Sequence, residues 1–325
     1  MRKSYFITLV LCIICVINSI SCGKNDGTIR VLLDWTPNTN HTGLYVALEK
    51  GWFADEGLRV TITQPPEDNA LILLASGKAE FAISFQEWMG EAIAKERDAL
   101  PITAIAGIIN QNTSGIMSLR ETGIQRPRDL AGKRFASWDM PIVTAIMRHI
   151  TEKDGGDFNS VRMIPNFATD AISALQTDVD AVWVYYAFDC IPAIIRGIEI
   201  NYIDLGAFDS LLDFYTPVLV TNTNWASANS ETVKRFMNAV SRGYYFAIEN
   251  PREAAEILLK YAPELDREVV IRGQEYLQTR YKGESQNRWG EIDPYRWGNF
   301  YRWMYEQGLL ERNIGNGGFT NEYLP

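Results

Sequence analysis

The sequence has few of the residues on which metal and thiol chemistry depend. Its 325 residues include two histidines and four cysteines, and no Cys-x-x-Cys pair occurs outside the first 21 residues. This composition leaves little material for a zinc site or a disulfide framework. Positive charge is also scarce, because 31 basic residues stand against 40 acidic ones and the net charge is −9. A surface-wide cationic patch for nucleic acid is therefore not expected.

Catalytic signatures are missing as well. The chain has no Gly-rich phosphate loop, no nucleophile elbow and no metal-ligand spacing, and it shows no internal repeat or long linker. What it has is an ordinary globular composition, with 46% hydrophobic and 22% charged residues. Its length exceeds a typical single core of up to ~250–300 residues, which predicts two lobes.

The N-terminus has the pattern of an export signal. Arg2 and Lys3 precede an apolar stretch over residues 6–17, which is too short for a membrane span. The following Ser-Ile-Ser-Cys-Gly resembles a bacterial lipobox, although Ser19 stands where an aliphatic residue is usual. Residues 1–21 are therefore predicted to be a lipoprotein signal peptide, Cys22 its lipidated residue, and 22–28 a tether. Ordinary secretion and an uncleaved anchor are the alternatives.

Short apolar runs then alternate with helical patterns, which predicts an α/β fold with mostly parallel sheets. The predicted strands are 29–33, 58–63, 81–85, 102–109, 115–119, 134–137, 161–164, 181–186, 200–205 and 217–221. The predicted helices include 43–50, 69–76, 142–153 and 170–177, with further helices after 229. Trp297, Phe300, Tyr301 and Met304 form an aromatic stripe at helical spacing, which favours core packing over a cofactor site. No cofactor or metal is expected.

The pattern restarts after about residue 112. We therefore expect lobe 1 to comprise residues 29–112 plus 221–325, and lobe 2 to be an insertion over 113–220. Two crossing segments are expected near 110–118 and 215–223.

Residues 32–47, LLDWTPNTNHTGLYVA, form a very specific motif. This motif resembles the solute-binding proteins of ABC importers for thiamine-pyrimidine precursors, within the type 2 periplasmic-binding-protein group. That group also holds sulfonate binders and the yeast-type thiamine-pyrimidine synthases. Further matches lie at 49–53, 56–58, 76–78, 83–87, 130–133, 180–183, 215–217 and 320–324, so the resemblance covers residues 28–325. It implies two lobes that close over a ligand in the cleft between them, a monomer, and permease and ATPase subunits as partners.

Candidate ligand-binding residues follow the predicted strands, because ligands of α/β sheets meet the carboxyl ends of strands. Asp34 and Trp35 follow the first strand, and the Trp face suits a heteroaromatic ring, although Trp35 could instead pack against the hinge. Asn38 and Asn40 can each donate and accept hydrogen bonds, which suits ring nitrogens and an exocyclic amine. Asn38 is the favoured candidate of the two, although turn formation would also explain an Asn here. His41 is either a ligand contact or a hydrogen-bonded structural residue.

Two further strand ends supply candidates. Gln86 and Glu87 follow the third strand, where a carboxylate could accept from a 4-amino group or a protonated ring nitrogen. A solvated surface Glu is the alternative. In the predicted second lobe, Trp138 and Asp139 end a strand and are expected to face the cleft.

The stretch 185–189 ends another strand. In the pyrimidine binders it often reads Tyr-Gly/Ala-Trp-Glu-Gly, whereas here Phe188, Asp189 and Cys190 replace the last three residues. Tyr186 and Asp189 are predicted ligand contacts, and Cys190 is predicted to be a small buried residue. Tyr215, in the matched Tyr-Thr-Pro, completes the candidate set.

Charge favours one ligand class. The segments 34–45, 84–88, 138–141 and 185–189 contain carboxylates and no Lys or Arg. An anion such as a sulfonate or nitrate would want cations or bare helix N-termini. A neutral or weakly basic aminopyrimidine fits better, with hydroxymethyl- and formylaminomethyl-pyrimidines as the expected ligands. Another flat heterocycle, such as a flavin-type ring, is the runner-up.

The synthases of the resembled group provide an enzyme alternative. They draw on an active-site Lys, a His and a Cys-rich run, but Ser84 and Trp88 stand where the Lys and His would be. No Cys precedes Tyr215 at the corresponding place. The sequence therefore predicts a binding protein and no enzyme.

Overall fold

The structure is a computed structural model that describes residues 27–64, 69–165, 170–283 and 286–325. The predicted signal peptide and Cys22 lie outside the described residues. The strands are β1 Thr28–Leu32, β2 Arg59–Thr63, β3 Phe81–Ser84, β4 Ile102–Gly107, β5 Ser114–Leu119, β6 Arg134–Ser137, β7 Arg162–Pro165, β8 Ala181–Tyr185, β9 Ile200–Asp204 and β10 Val218–Asn222. None of the described helices has the length and apolar character that a membrane span requires.

The helices lie mainly between and after these strands. The α-helices are α1 Thr42–Glu49, α2 Trp52–Asp55, α3 Ala70–Ala75, α4 Gln86–Ile93, α5 Pro141–Lys153, α6 Ala171–Thr177, α7 Ile191–Ile195, α8 Leu205–Phe208, α9 Thr223–Ala228, α10 Ser230–Glu249, α11 Pro251–Tyr261, α12 Arg267–Leu277 and α13 Pro294–Glu306. Short 3-10 turns occur at Thr39–His41, Arg120–Thr122, Pro127–Leu130, Phe158–Ser160 and Ser210–Leu212, and a π-helical turn at Tyr186–Cys190.

The strands form two five-stranded sheets. The first has the order β2-β1-β3-β10-β4 and the second the order β7-β6-β8-β5-β9. In the first sheet β10 runs antiparallel to both of its neighbours, and in the second β5 does the same. The remaining pairs are parallel. Both sheets are therefore mixed. In each sheet one strand, β10 in the first and β5 in the second, follows a crossing from the other sheet and runs antiparallel to the other four.

Two stretches of chain join the sheets. The first crossing segment comprises residues 108–113, between β4 and β5, and the second comprises residues 213–217, before β10. The predicted crossings, near 110–118 and 215–223, overlap these segments but extend into β5 and β10. The peptide bond between Thr216 and Pro217 is cis.

Local sequence signals explain the first helix. The Asn38 side chain accepts from the Asn40 backbone N–H and begins a 3-10 turn, and α1 follows directly. Gly51 lies just beyond the C-cap with φ of 74°, a conformation that glycine adopts without strain. The 3-10 turn Thr39–His41 thus leads into α1, and the side-chain cap is Asn38, before the turn.

Hydrophobic packing divides between the sheets and the last helix. The first hydrophobic cluster contains residues of both lobes, such as Ala82 and Phe135, together with Phe300 and Met304 of α13. A second cluster lies between the first sheet and helices α1, α10 and α11. The predicted aromatic stripe of α13 is fully buried, which confirms its core role. Helix α13 thus contacts both lobes, as the stacking of Phe300 on Phe214 at 4.2 Å shows.

Candidate functional site

The loop after β1 holds a buried carboxylate–imidazole pair. His41 Nδ1 accepts from the Asn38 backbone N–H at 3.2 Å, which places the ring proton on Nε2. That nitrogen donates to Asp34 Oδ1 over 2.6 Å. Both side chains are buried. His41 therefore orients Asp34, and neither of its nitrogens is left for a ligand.

The other residues of this loop divide into turn formers and an exposed ring. Asn38 uses its Oδ1 for the Asn40 backbone and its Nδ2 for the Thr36 carbonyl, so the turn explains it. Asn40 is buried, and its carbonyl accepts from the Tyr244 hydroxyl. Trp35 is 64% exposed at the end of β1, which is unusual for so large an apolar side chain. Of the candidates in this loop, Trp35 and Asp34 therefore remain candidate ligand contacts.

Gln86 and Tyr215 contact each other rather than open space. The Gln86 amide accepts from the Tyr215 backbone N–H at 2.9 Å and donates to the Trp297 carbonyl. The Tyr215 hydroxyl accepts from the Asp293 backbone N–H, and the Arg296 guanidinium lies 4.1 Å from its ring centre. Both residues are fully buried. Their side chains therefore join the start of α4 and the second crossing segment to α13, an arrangement that sequence spacing does not reveal.

Glu87 lies in the first turn of α4, a helix that the sequence reading did not assign. Its carboxyl is buried, and Oε2 has no hydrogen-bond partner among the described residues. Burial, with a smaller contribution from the nearby Glu91 carboxylate, raises the Glu87 pKa to about 8. The group is therefore mostly a neutral acid at pH 7, able to donate as well as accept. Glu87 is not the solvated surface residue of the alternative interpretation.

In the second lobe, Asp189 and Tyr186 have different kinds of partners. Asp189 Oδ2 accepts from the Tyr185 backbone N–H at 2.9 Å, and burial raises the Asp189 pKa to about 6. The Tyr186 ring instead stacks on Tyr276 of α12 at 4.5 Å and meets Tyr202 edge-on. Tyr186 thus joins the two lobes through aromatic packing.

Three of the candidate carboxyls lie near enough to Tyr185 to affect its pKa. Burial raises its pKa well above the usual range, and the charges of Glu87, Asp34 and Asp189 raise it further. Two of these carboxyls belong to the first lobe and one to the second. Tyr185 was overlooked in the sequence, where its position at the end of β8, next to Tyr186, was the available signal.

Exposed aromatic rings complete the set. Trp138, after β6, is 42% exposed, and Asp139 beside it has φ of 55°, which is uncommon for a non-glycine residue. Trp88 of α4 is 41% exposed and contacts Phe85 edge-on at 4.8 Å. The sequence indicated Trp88 only as the residue in place of a synthase histidine. Its position shortly after the end of β3 was the signal that could have predicted an exposed ring near the other candidates.

The chemistry available here is hydrogen bonding and stacking. No group of three or more His, Cys, Asp or Glu in the described part of the chain could hold a metal ion. Cys190 is buried beside Met117, and burial raises the pKa of its thiol, so it is not a reactive nucleophile. Tryptophan faces, a tyrosine hydroxyl and carboxyls suit a flat heterocycle with donors and acceptors on its edge.

The sequence is similar to known proteins over most of its length. Residues 38–254 match the model of the family described as NMT1/THI5 like. The formylaminopyrimidine-binding protein of Halalkalibacterium halodurans is 29% identical over 97% of each chain. The 4-amino-5-hydroxymethyl-2-methylpyrimidine phosphate synthase of Aspergillus parasiticus is 25% identical, over 91% of this chain and 87% of its own.

Solved structures resemble the fold. The periplasmic aliphatic sulphonate-binding protein SsuA of Escherichia coli superposes with a TM-score of 0.69 at 13% identity, covering 89% of this chain and 95% of its own. At that identity the likeness concerns the fold, which is that of periplasmic binding proteins. Because the family model spans more than half of the sequence, the chain belongs to the NMT1/THI5-like family.

Proposed function

We propose that this protein is the solute-binding subunit of an ABC importer and binds a thiamine-pyrimidine precursor between its lobes. The expected ligands are hydroxymethyl- and formylaminomethyl-aminopyrimidines. We further propose the lobe division derived from the sequence, with its second boundary moved to residue 218 so that β10 stays whole. The binding protein among the relatives supports a transport role.

One observation carries the proposal. Asp189 Oδ2 of the second lobe accepts from the Tyr185 backbone N–H at 2.9 Å, and the Asp34 and Glu87 carboxyls of the first lobe lie near enough to Tyr185 to raise its pKa. This proximity supports a site to which both lobes contribute polar groups. A ligand held there contacts both lobes at once, which is what ligand-driven closure requires. Trp35 follows β1 and Trp138 follows β6, and both expose ring faces on which a heterocycle could stack; Trp88 of α4 exposes a third.

The neutral acid form of the Glu87 carboxyl favours a neutral ligand. An aminopyrimidine presents acceptor nitrogens next to a donor amine. The neutral acid form of Glu87 can donate to a ring nitrogen, and a carboxyl oxygen of Asp34 can accept from the amine. A sulfonate or nitrate would instead face several acidic groups and no Lys or Arg in the candidate segments.

Binding without catalysis is the second part of the proposal. Ser84 has a buried hydroxyl and Trp88 an exposed ring, and these two stand where the resembled synthases carry Lys and His. A serine cannot form the Schiff base that the lysine of those synthases supplies, and the indole of Trp88 cannot replace an imidazole as donor.

Calorimetric titration tests the ligand. We expect a one-site isotherm with the two pyrimidines in the micromolar range or tighter, ~8 kcal/mol or more, and no heat with an alkanesulfonate. Asp189→Ala should weaken binding by more than ~1 kcal/mol, because it removes the carboxylate and the acceptor that fixes Tyr185.

A matched control lies at the other end of β8. Asp178→Ala removes an exposed carboxylate and should leave the affinity unchanged. No heat with either pyrimidine, on folded and ligand-free protein, would rule out the proposed ligand and direct attention to flavin-type rings. Unchanged affinity in Asp189→Ala would show that the ligand sits elsewhere.

A further inference from the structure

Arg296 is the one residue whose side chain bonds to both crossing segments among the described hydrogen bonds. It lies in the first turn of α13, where its guanidinium is mostly buried. Nη2 donates to the Asn110 carbonyl of the first segment, and Nε donates to the Asp213 carbonyl of the second. Nη2 also lies 3.3 Å from Asp213 Oδ1. The planar guanidinium, with its five donors in fixed directions, suits a contact with several acceptors at once.

The two crossing segments are also tied to each other. The Asn112 backbone N–H donates to Asp213 Oδ1 at 2.7 Å, and its side-chain amide donates to the Leu212 carbonyl at 2.7 Å. Asn112 Oδ1 in turn accepts from the backbone and hydroxyl of Ser114, at the start of β5. A change in the position of one segment is therefore passed to the other.

A short path connects this cluster with the candidate ligand site. Arg296 stacks on the ring of Tyr215, whose backbone N–H donates to the Gln86 side chain. Gln86 also donates to the Trp297 carbonyl, next to Arg296 in α13. Its neighbour in α4 is Glu87, one of the carboxyls around Tyr185. The crossing segments, α13 and the edge of the cleft are thus one hydrogen-bonded unit.

We propose that Arg296 is a positioning residue of the hinge, which fastens both crossing segments to α13 and so sets the angle at which the lobes rest. This inference builds on the proposed function, in which closure of the lobes accompanies binding. Arg296 does not touch the ligand. It acts on affinity by limiting how far the ligand-free lobes open, and thus by the free energy that closing requires.

The test compares Arg296→Gln with the parent protein in two measurements. Small-angle X-ray scattering of the ligand-free protein should show a larger radius of gyration, because the segments lose their common anchor. Titration with the pyrimidine should show affinity about tenfold weaker, which corresponds to ~1.4 kcal/mol. Arg296→Lys should give intermediate values in both, since one ammonium keeps the charge but cannot match the fork of donors.

Arg302→Gln is the matched control, because Arg302 is exposed on the same helix and carries the same charge. It should change neither the scattering nor the affinity. If Arg296→Gln does not fold, Arg296→Lys decides alone. Unchanged scattering and affinity in the folded Arg296 variants would overturn the proposal. Because scattering needs no ligand, an absence of pyrimidine binding in every variant would count against the proposed function and leave the hinge role to be decided by scattering.

Discussion

Glu87 combines a buried carboxyl with an oxygen that has no hydrogen-bond partner in the described part of the chain. Such a group costs free energy of folding when it is ionised, because the surrounding protein cannot solvate the charge. A structure retains such a group at a cost in stability, and binding sites are where that cost is most often compensated by function. Asp189 of the second lobe is half-buried and also has a raised pKa.

We predict that Glu87 makes stability fall as pH rises. Its pKa is about 8 in the folded protein and about 4.3 when unfolded. Between these two pKa values the folded state keeps a proton that the unfolded state releases. The free energy of unfolding therefore falls as pH rises from ~4.5 to about 8, by at most ~1.4 kcal/mol per pH unit. Denaturant unfolding of Glu87→Gln across this range should show a weaker pH dependence than the parent.

An exposed carboxyl supplies the control for this experiment. Glu306→Gln, on the surface of α13, should leave the pH dependence as it is in the parent protein. Asp189 contributes in the same direction over the lower part of the range, between about pH 4 and 6, and should keep doing so in Glu87→Gln. Parallel stability curves for Glu87→Gln and the parent would contradict a buried neutral acid at this position.

At the scale of elements, helices α1 and α10 approach each other unusually closely. A Cβ atom on Gly243 would lie 1.9 Å from the Gly43 carbonyl oxygen, and one on Gly43 would lie 2.4 Å from the Tyr244 ring. Tyr244 in turn stacks on Trp289 at 4.2 Å and donates to the Asn40 carbonyl. This contact holds the loop that carries Asp34 against the body of the first lobe.

We predict that Gly243→Ala destabilises the protein by ~3 kcal/mol or more, because the added methyl group meets backbone and not a side chain that could move. Gly273→Ala in α12 is the matched control. Its nearest atoms would be 3.6 Å away, so the helical preference of alanine should stabilise by up to ~1 kcal/mol. Chemical denaturation measures both. Similar stabilities for the two variants would mean that the helices separate without cost.

At the scale of the whole molecule, the arrangement depends on α13 as much as on the two sheets. This helix lies in the hydrophobic cluster that joins the lobes, and Trp303 meets His149 of α5 edge-on at 5.6 Å. His149 and Lys153 both donate to the buried carboxylate of Asp209. A C-terminal helix that contacts both lobes can couple their motion, which is why the hinge proposal centres on its first turn.

The predicted export signal leads to a prediction about processing and location. We expect the protein to be processed before Cys22, to carry lipid there and to fractionate with the membrane. Cys22→Ser should release it into the soluble fraction, since a serine cannot form the thioether. Membrane fractionation and mass spectrometry of the N-terminal peptide check this.

Cys190→Ser is the matched control for the lipid experiment. It replaces a buried cysteine in the second lobe and should leave membrane attachment unchanged. Attachment of the Cys22→Ser protein would point to an uncleaved anchor instead.

Local patterns were enough to predict the fold class and most elements. Alternation of apolar runs with helical periods predicted each of the ten strands to within a few residues, because these patterns depend only on neighbours in the chain. The motif at residues 32–47 indicated the family, and the buried stripe of α13 followed from its spacing. Helices α2, α4, α7, α8, α9 and α12 were not assigned individually, and all but α12 are eight residues or shorter, too short to show a clear period.

The tertiary structure decided which candidate side chains meet. Sequence order could place Gln86, Tyr215 and His41 at strand ends, but not show that their polar atoms are used by the protein itself. Arg296 and Tyr185 carry no motif, and their roles arise from partners far away in the chain. Chain-local chemistry thus determines the elements and the family, whereas hydrogen bonds and electrostatic contacts between distant segments exist only after the two lobes have packed.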